Sequence, residues 1–84
     1  MKLDKAIFLA KDFFTQRGFT YKFFIHLRDS SWWLKLELAR WDVCGWVLYD
    51  VEFELNDPDS LANALLRWIK DVFGVDYEVK SKDG

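Results

Sequence analysis

Hydrophobic and polar positions along the chain follow one period first, then another, then the first again. From Leu3 to Arg17 the apolar residues Leu3, Ala6, Ile7, Ala10, Phe13 and Phe14 recur at helical spacing, about 100° per residue, with Leu9 at the edge of the stripe. Asp4 in the first turn and Arg17 in the last suit the helix dipole, and Gly18 predicts a left-handed stop. Phe8 falls off the stripe.

The period then changes to two. Phe19, Tyr21, Phe23, Ile25 and Leu27 alternate with Thr20, Lys22, Phe24 and His26. After Arg28-Asp29-Ser30-Ser31, a second run places Trp32, Leu34, Leu36 and Leu38 inward and Trp33, Lys35, Glu37 and Ala39 outward. Beyond the Asp42–Gly45 turn, Tyr49, Val51, Phe53 and Leu55 point inward while Leu48, Asp50, Glu52 and Glu54 point outward. A one-residue slip would turn every core side chain to solvent, so the register can be derived. Closing the first hairpin at Asp29-Ser30 pairs Leu27 with Trp32, Ile25 with Leu34, Phe23 with Leu36 and Tyr21 with Leu38. It also sets Lys22 opposite Glu37 and His26 opposite Trp33. Closing the second between Trp41 and Trp46 pairs Leu38 with Tyr49, Leu36 with Val51 and Leu34 with Phe53. That register puts Lys35 opposite Glu52, which it should neutralise, and Glu37 opposite Asp50.

Asn56-Asp57-Pro58 then signals a helix start, Asp57 as N-cap and Pro58 in the first position. Leu61, Leu65, Trp68, Ile69 and Val72 form its stripe, flanked by Leu66 and Phe73, and Gly74 ends it. Val75, Tyr77 and Val79 alternate and predict a short fourth strand at an edge. The expected fold is α+β, a two-layer α-β-β-β-α(-β) sandwich with a three-stranded antiparallel meander and both helices on one face. One domain spans residues 1–80, with 81–84 a frayed tail.

Composition supports a real core. The 84 residues are 51% hydrophobic and 19% aromatic, with 5 Trp, 3 Tyr and 8 Phe, and each aromatic ring can bury roughly 150–250 Å². That density offsets the poor surface-to-volume ratio of a short chain. Cys44 is the single cysteine, so no disulfide staples the fold. Asp4, Lys5, Lys11 and Asp12 interrupt the N-terminal apolar residues, which argues against a signal peptide or membrane span and for a cytoplasmic protein with no membrane partner. Twelve Lys and Arg against 14 Asp and Glu lack the positive excess that phosphate binding draws on.

Candidate chemistry is sparse. His26 has no second histidine or cysteine at metal-ligand spacing and no nucleophile beside it in the register. Cys44 lies in a turn near Asp42, a setting that does not favour a thiolate. Asp50, Glu52 and Glu54 share a face with neighbours roughly 6–7 Å apart, but an open sheet face has no pocket to raise a carboxyl pKa. No glycine-rich phosphate loop or other cofactor motif is present. These residues argue against an enzyme and imply no cofactor and no metal.

The outer sheet face instead carries surplus apolar surface. Trp41 and Trp46 flank the second turn near Leu48, and Phe24 and Trp33 sit at the other end beside His26. Such rings either stiffen the sheet by packing on one another or form an interface. The favoured expectation is a protein-interaction module using Phe24, Trp33, Trp41, Trp46 and Leu48, with Phe8 as an outlying contact. Its partner is another protein or a second copy in a homodimer. A small acidic inhibitor or accessory protein that docks on a larger complex, of the type phages encode, is a narrower version of that reading.

The element order α-β-β-β-α resembles that of the double-stranded-RNA-binding domain, and the resemblance covers most of the chain. It implies an alternative function in nucleic-acid binding. Members of that family grip phosphates with lysines at the start of their second helix. The matching stretch here, Asp57-Pro58-Asp59-Ser60-Leu61-Ala62-Asn63-Ala64, has no basic residue and two acids. Phosphates would be repelled where that family attracts them.

Overall fold

Residues 1–75 are described by the computed structural model. Helix α1 (Leu3–Gln16) leads into strands β1 (Thr20–Arg28), β2 (Ser31–Asp42) and β3 (Gly45–Leu55), and helix α2 (Pro58–Phe73) follows. The three strands form one antiparallel sheet in the order β1-β2-β3, giving the expected α-β-β-β-α arrangement. The proposed fourth strand lies outside the described residues, apart from Val75, which packs against the core.

Each boundary has a local cause. Gly18 adopts φ +80°, its N–H donates to the Thr15 carbonyl (3.1 Å), and the Phe19 N–H donates to the Phe14 carbonyl (3.0 Å). This is the paired bonding of a Schellman stop, completed by the Phe14–Phe19 ring contact at 6.3 Å. Arg17 is not in the last turn: it is the C-cap, and its guanidinium lies 3.7 Å from the Phe13 ring centroid. The first hairpin closes through Asp29 (φ 53°) and Ser30 (φ 65°), the two positive angles of a type I′ turn.

At α2, the Asp57 carboxylate accepts from the Ser60 N–H (2.9 Å) and the Ser60 hydroxyl (3.0 Å). Those bonds, the backbone one foremost, hold its carboxyl below the ordinary value of 3.8. A lowered folded-state pKa stabilises the fold fully above the ordinary value, and this contribution is lost as pH falls through the folded value. Asp57→Asn keeps a capping oxygen but no ionisable group. In urea melts across the acid range, wild type should therefore lose stability more steeply than Asp57→Asn; parallel pH profiles would contradict the cap.

The derived register holds at every pair. Tyr21 faces Leu38, Ile25 faces Leu34 and Leu27 faces Trp32; across the second hairpin Leu38 faces Tyr49, Leu34 faces Phe53 and Trp41 faces Trp46. Leu34, Leu36 and Leu38 of the central strand are buried against Ala6, Ala10, Phe13 and Phe14 of α1 and Leu61, Leu65 and Ile69 of α2. No polar or charged side chain is buried among the described residues. One end of the core is aromatic: Phe13, Phe14, Phe19, Tyr49 and Trp68 all lie within 6.2 Å, centroid to centroid, of Phe73.

The inner face of β1 departs from expectation. Phe19 is buried and Tyr21 and Phe23 are half-buried, but Ile25 and Leu27 are exposed. A helix advances about 1.5 Å per residue and a strand about 3.3 Å, so the helical layer is shorter than the strands it covers. The tip of the first hairpin extends past it.

Candidate functional site

The outer face is built by strand alternation alone. Thr20, Lys22, Phe24, His26 and Arg28 project from β1. Trp33, Lys35, Glu37, Ala39 and Trp41 project from β2, and Trp46, Leu48, Asp50, Glu52 and Glu54 from β3.

The aromatic residues of this face form two groups with different surroundings. Near the first hairpin, the His26 ring stacks on Trp33 (6.0 Å, 11°) and the Arg28 guanidinium lies 4.7 Å from the Trp33 ring centroid. Trp33 is thereby half-buried by its own neighbours, while Phe24 stays exposed. Near the second hairpin, Trp41 and Trp46 meet edge to face at 5.4 Å. Contact with each other still leaves them 64% and 62% exposed, next to Leu48 at 70% and Val43 at 94%. Mutual packing accounts for Trp33; it does not account for the Trp41–Trp46 end. Phe8 is exposed on α1, in the layer that covers the opposite face, and does not join either group.

Between these groups lies a shallow hollow of about 330 Å³, lined by Thr20, Lys22, Glu37, Ala39, Leu48 and Asp50 with the intervening backbone. It exists because Ala39, at the centre of a three-strand row, has only a methyl group between Thr20 and Leu48. A second groove, about 450 Å³, runs between β3 and α2 past Phe53, Leu55, Asn63, Arg67, Trp68 and Asp71. Neither groove contains histidine or cysteine.

Lys35 does not pair with Glu52. Its ammonium lies 3.4 Å from the Glu37 carboxylate, two residues along the same strand. Glu37 faces Asp50 across the register, and the nearby cation relieves that repulsion. Charge on the face therefore changes sign from edge to edge. The outward residues of β1 include Lys22 and Arg28 and no acid, and those of β2 include the Lys35–Glu37 pair, which is neutral. Those of β3 include Asp50, Glu52 and Glu54 and no base, although Lys22 faces Glu37 and Glu52 faces Lys35 across the strands.

Other candidate chemistry is not assembled. Cys44 is exposed at the hairpin tip, where the neighbouring Asp42 carboxylate accepts from the Val43 N–H (2.7 Å). Among the described residues no group of three His, Cys, Asp or Glu side chains could hold a metal ion. Among the described residues no helix is long and apolar enough to cross a membrane.

The sequence pattern missed Val43, which sits in the turn where period-2 reasoning stops. It also missed the covering role of Arg28 and the hollow over Ala39, a feature made by a small residue among large ones. No family model, characterised protein or solved structure matches this chain.

Proposed function

We propose that this chain is a non-enzymatic protein-interaction module whose working surface is the outer sheet face, centred on Trp41 and Trp46. The observation that carries this reading is the exposed apolar patch of Trp41, Trp46 and Leu48 on the outer face, with Val43 exposed in the adjoining turn. Isolated exposed apolar residues are ordinary, but tryptophan clusters with a polar rim are characteristic of interface centres. Asp50 borders that patch, and Glu52 and Glu54 continue the acidic column along β3 toward Trp33, so the matching surface carries positive charge alongside an apolar centre. An inhibitor or accessory protein docking on the basic surface of a larger protein fits these requirements.

The experiment is affinity capture with immobilised wild type and with the double variant Trp41→Ser/Trp46→Ser, alongside sedimentation of each alone. Wild type should bind a protein, or itself, and the double variant should not. Identical behaviour of the two would overturn the proposal. Binding of duplex RNA by wild type in a gel shift at moderate salt would favour the nucleic-acid alternative, which the acidic ladder and the lysine-free start of α2 oppose.

A further inference from the structure

The surface this face calls for has an apolar centre and a basic column opposite Asp50, Glu52 and Glu54. The chain itself carries a surface of this kind: its own outer face, where β1 presents Lys22, His26 and Arg28 and no acid. We infer that the partner is a second copy, packed face to face about a two-fold axis that runs parallel to the strands over β2; this rests on the interaction reading above and names its partner.

The axis follows from charge. A two-fold axis in the interface and parallel to the strands lays β1 of one copy over β3 of the other and returns each row of the register to its own level. Lys22, Glu37 and Asp50 form one such row, so Lys22 faces Asp50 of the second copy, and Asp50 faces its Lys22. The row His26–Trp33–Glu54 sets the His26 ring opposite a carboxylate in the same way. An axis across the strands would instead lay β3 on β3 and press the two acidic ladders together. In the first arrangement the β2 residues lie on the axis and meet their own copies, Glu37 on Glu37 and Lys35 on Lys35, each within a neutral Lys35–Glu37 pair, and Glu52 meets Phe24. The opposed charges of the outer strands then favour it, while like charges penalise the second.

Shape agrees with charge. Thr20, Ala39 and Leu48 share one row, and Leu48 stands exposed at the rim of the hollow over Ala39. In the parallel-axis arrangement Leu48 of each copy descends on the Thr20 side of the other's hollow. Both second hairpins lie at the same end, so Trp41 and Trp46 of the two copies merge into one apolar cluster. Strands of about 11 residues at ~3.3 Å and three strands at ~4.8 Å give a face of on the order of 500 Å² per copy. Two such faces bury about 1,000 Å², the lower bound for specific association, so the dimer is weak and reversible.

The test is analytical ultracentrifugation from micromolar to millimolar chain with Lys22→Glu, Asp50→Lys and an equimolar mixture of the two. Both positions are exposed, and melting curves verify that the variants fold. Wild type should self-associate, less so in high salt. Each variant alone brings like charges together twice and should associate about tenfold more weakly or worse. The mixture makes both contacts with opposite charges, so association should return to near the wild-type level. Leu48→Arg, which places a charge in the hollow, should abolish it. A wild type that stays monomeric at millimolar concentration, or a mixture no tighter than its components, would overturn the second-copy inference. A monomeric chain that still captures a different protein through Trp41 and Trp46 would refute that inference alone, whereas loss of both results would refute the interaction reading as well.

Discussion

Replacing Phe73 with alanine should destabilise the fold by about 3 kcal/mol, the cost expected for deleting a large ring from a packed site. Phe73 ends α2, and its ring is 5.3 Å from Phe13, 5.8 Å from Phe19 and 5.4 Å from Tyr49. It thus joins both helices to the residue that leads into β1 and to β3. Each favourable aromatic pair adds roughly 0.5–1.5 kcal/mol beyond burial, and alanine would forfeit several at once. A chain of this length has a total stability of roughly 4–13 kcal/mol, so the loss is a large fraction of the margin. Urea denaturation of wild type, Phe73→Leu and Phe73→Ala should give three separated midpoints in that order. A loss below about 1 kcal/mol for Phe73→Ala would mean that the rings around it close the gap or were never coupled.

Trp41→Ser/Trp46→Ser should do the reverse, leaving the fold and removing association. The pair sits at the open end of the sheet, where a cross-strand contact is worth roughly 0.2–1 kcal/mol to folding. At the centre of an interface, truncating a tryptophan costs about 2 kcal/mol or more, roughly thirtyfold in Kd. Unfolding midpoints close to wild type, combined with at least that loss of binding, would separate this pair from Phe73. A double variant that unfolds as readily as Phe73→Ala would show that the two rings serve the sheet's stability.

Much of this architecture was legible because its signals are local and mutually constraining. Gly18 and Asp57 mark helix ends through backbone geometry and one side-chain acceptor. The two-residue turn at Asp29-Ser30 then locks nine residues of β1 to β2, and the apolar alternation admits no other register. The exposure of Ile25 and Leu27 was not legible, because alternation says which way a side chain points but not how far the facing layer extends. The hub role of Phe73 was hidden for a related reason: as a flank of the α2 stripe it reads as peripheral until α1 and β3 converge on it. Lys35 reaching Glu37 instead of Glu52 reflects a choice between two outward acids, one along its own strand and one across the register, which register alone does not decide. At the candidate site, alternation put Trp41, Trp46 and Leu48 on one face and left out Val43, whose place in the turn gives it no period to follow.

The proposed working surface is the outer face at its Trp41–Trp46 end. The chain's five tryptophans report on it directly, since each indole N–H gives its own signal in a proton–nitrogen spectrum. Trp41, Trp46 and Trp33 sit on the outer face, Trp32 on the inner face beside exposed Leu27, and Trp68 against the core. The measurement is the movement of these five signals as chain concentration, or a captured partner, is raised. Trp41 and Trp46 should move most, Trp33 less, and Trp68 and Trp32 should stay in place. Movement led by Trp32, with Trp41 and Trp46 unchanged, would place the contact on the uncovered inner end of β1 and contradict the account.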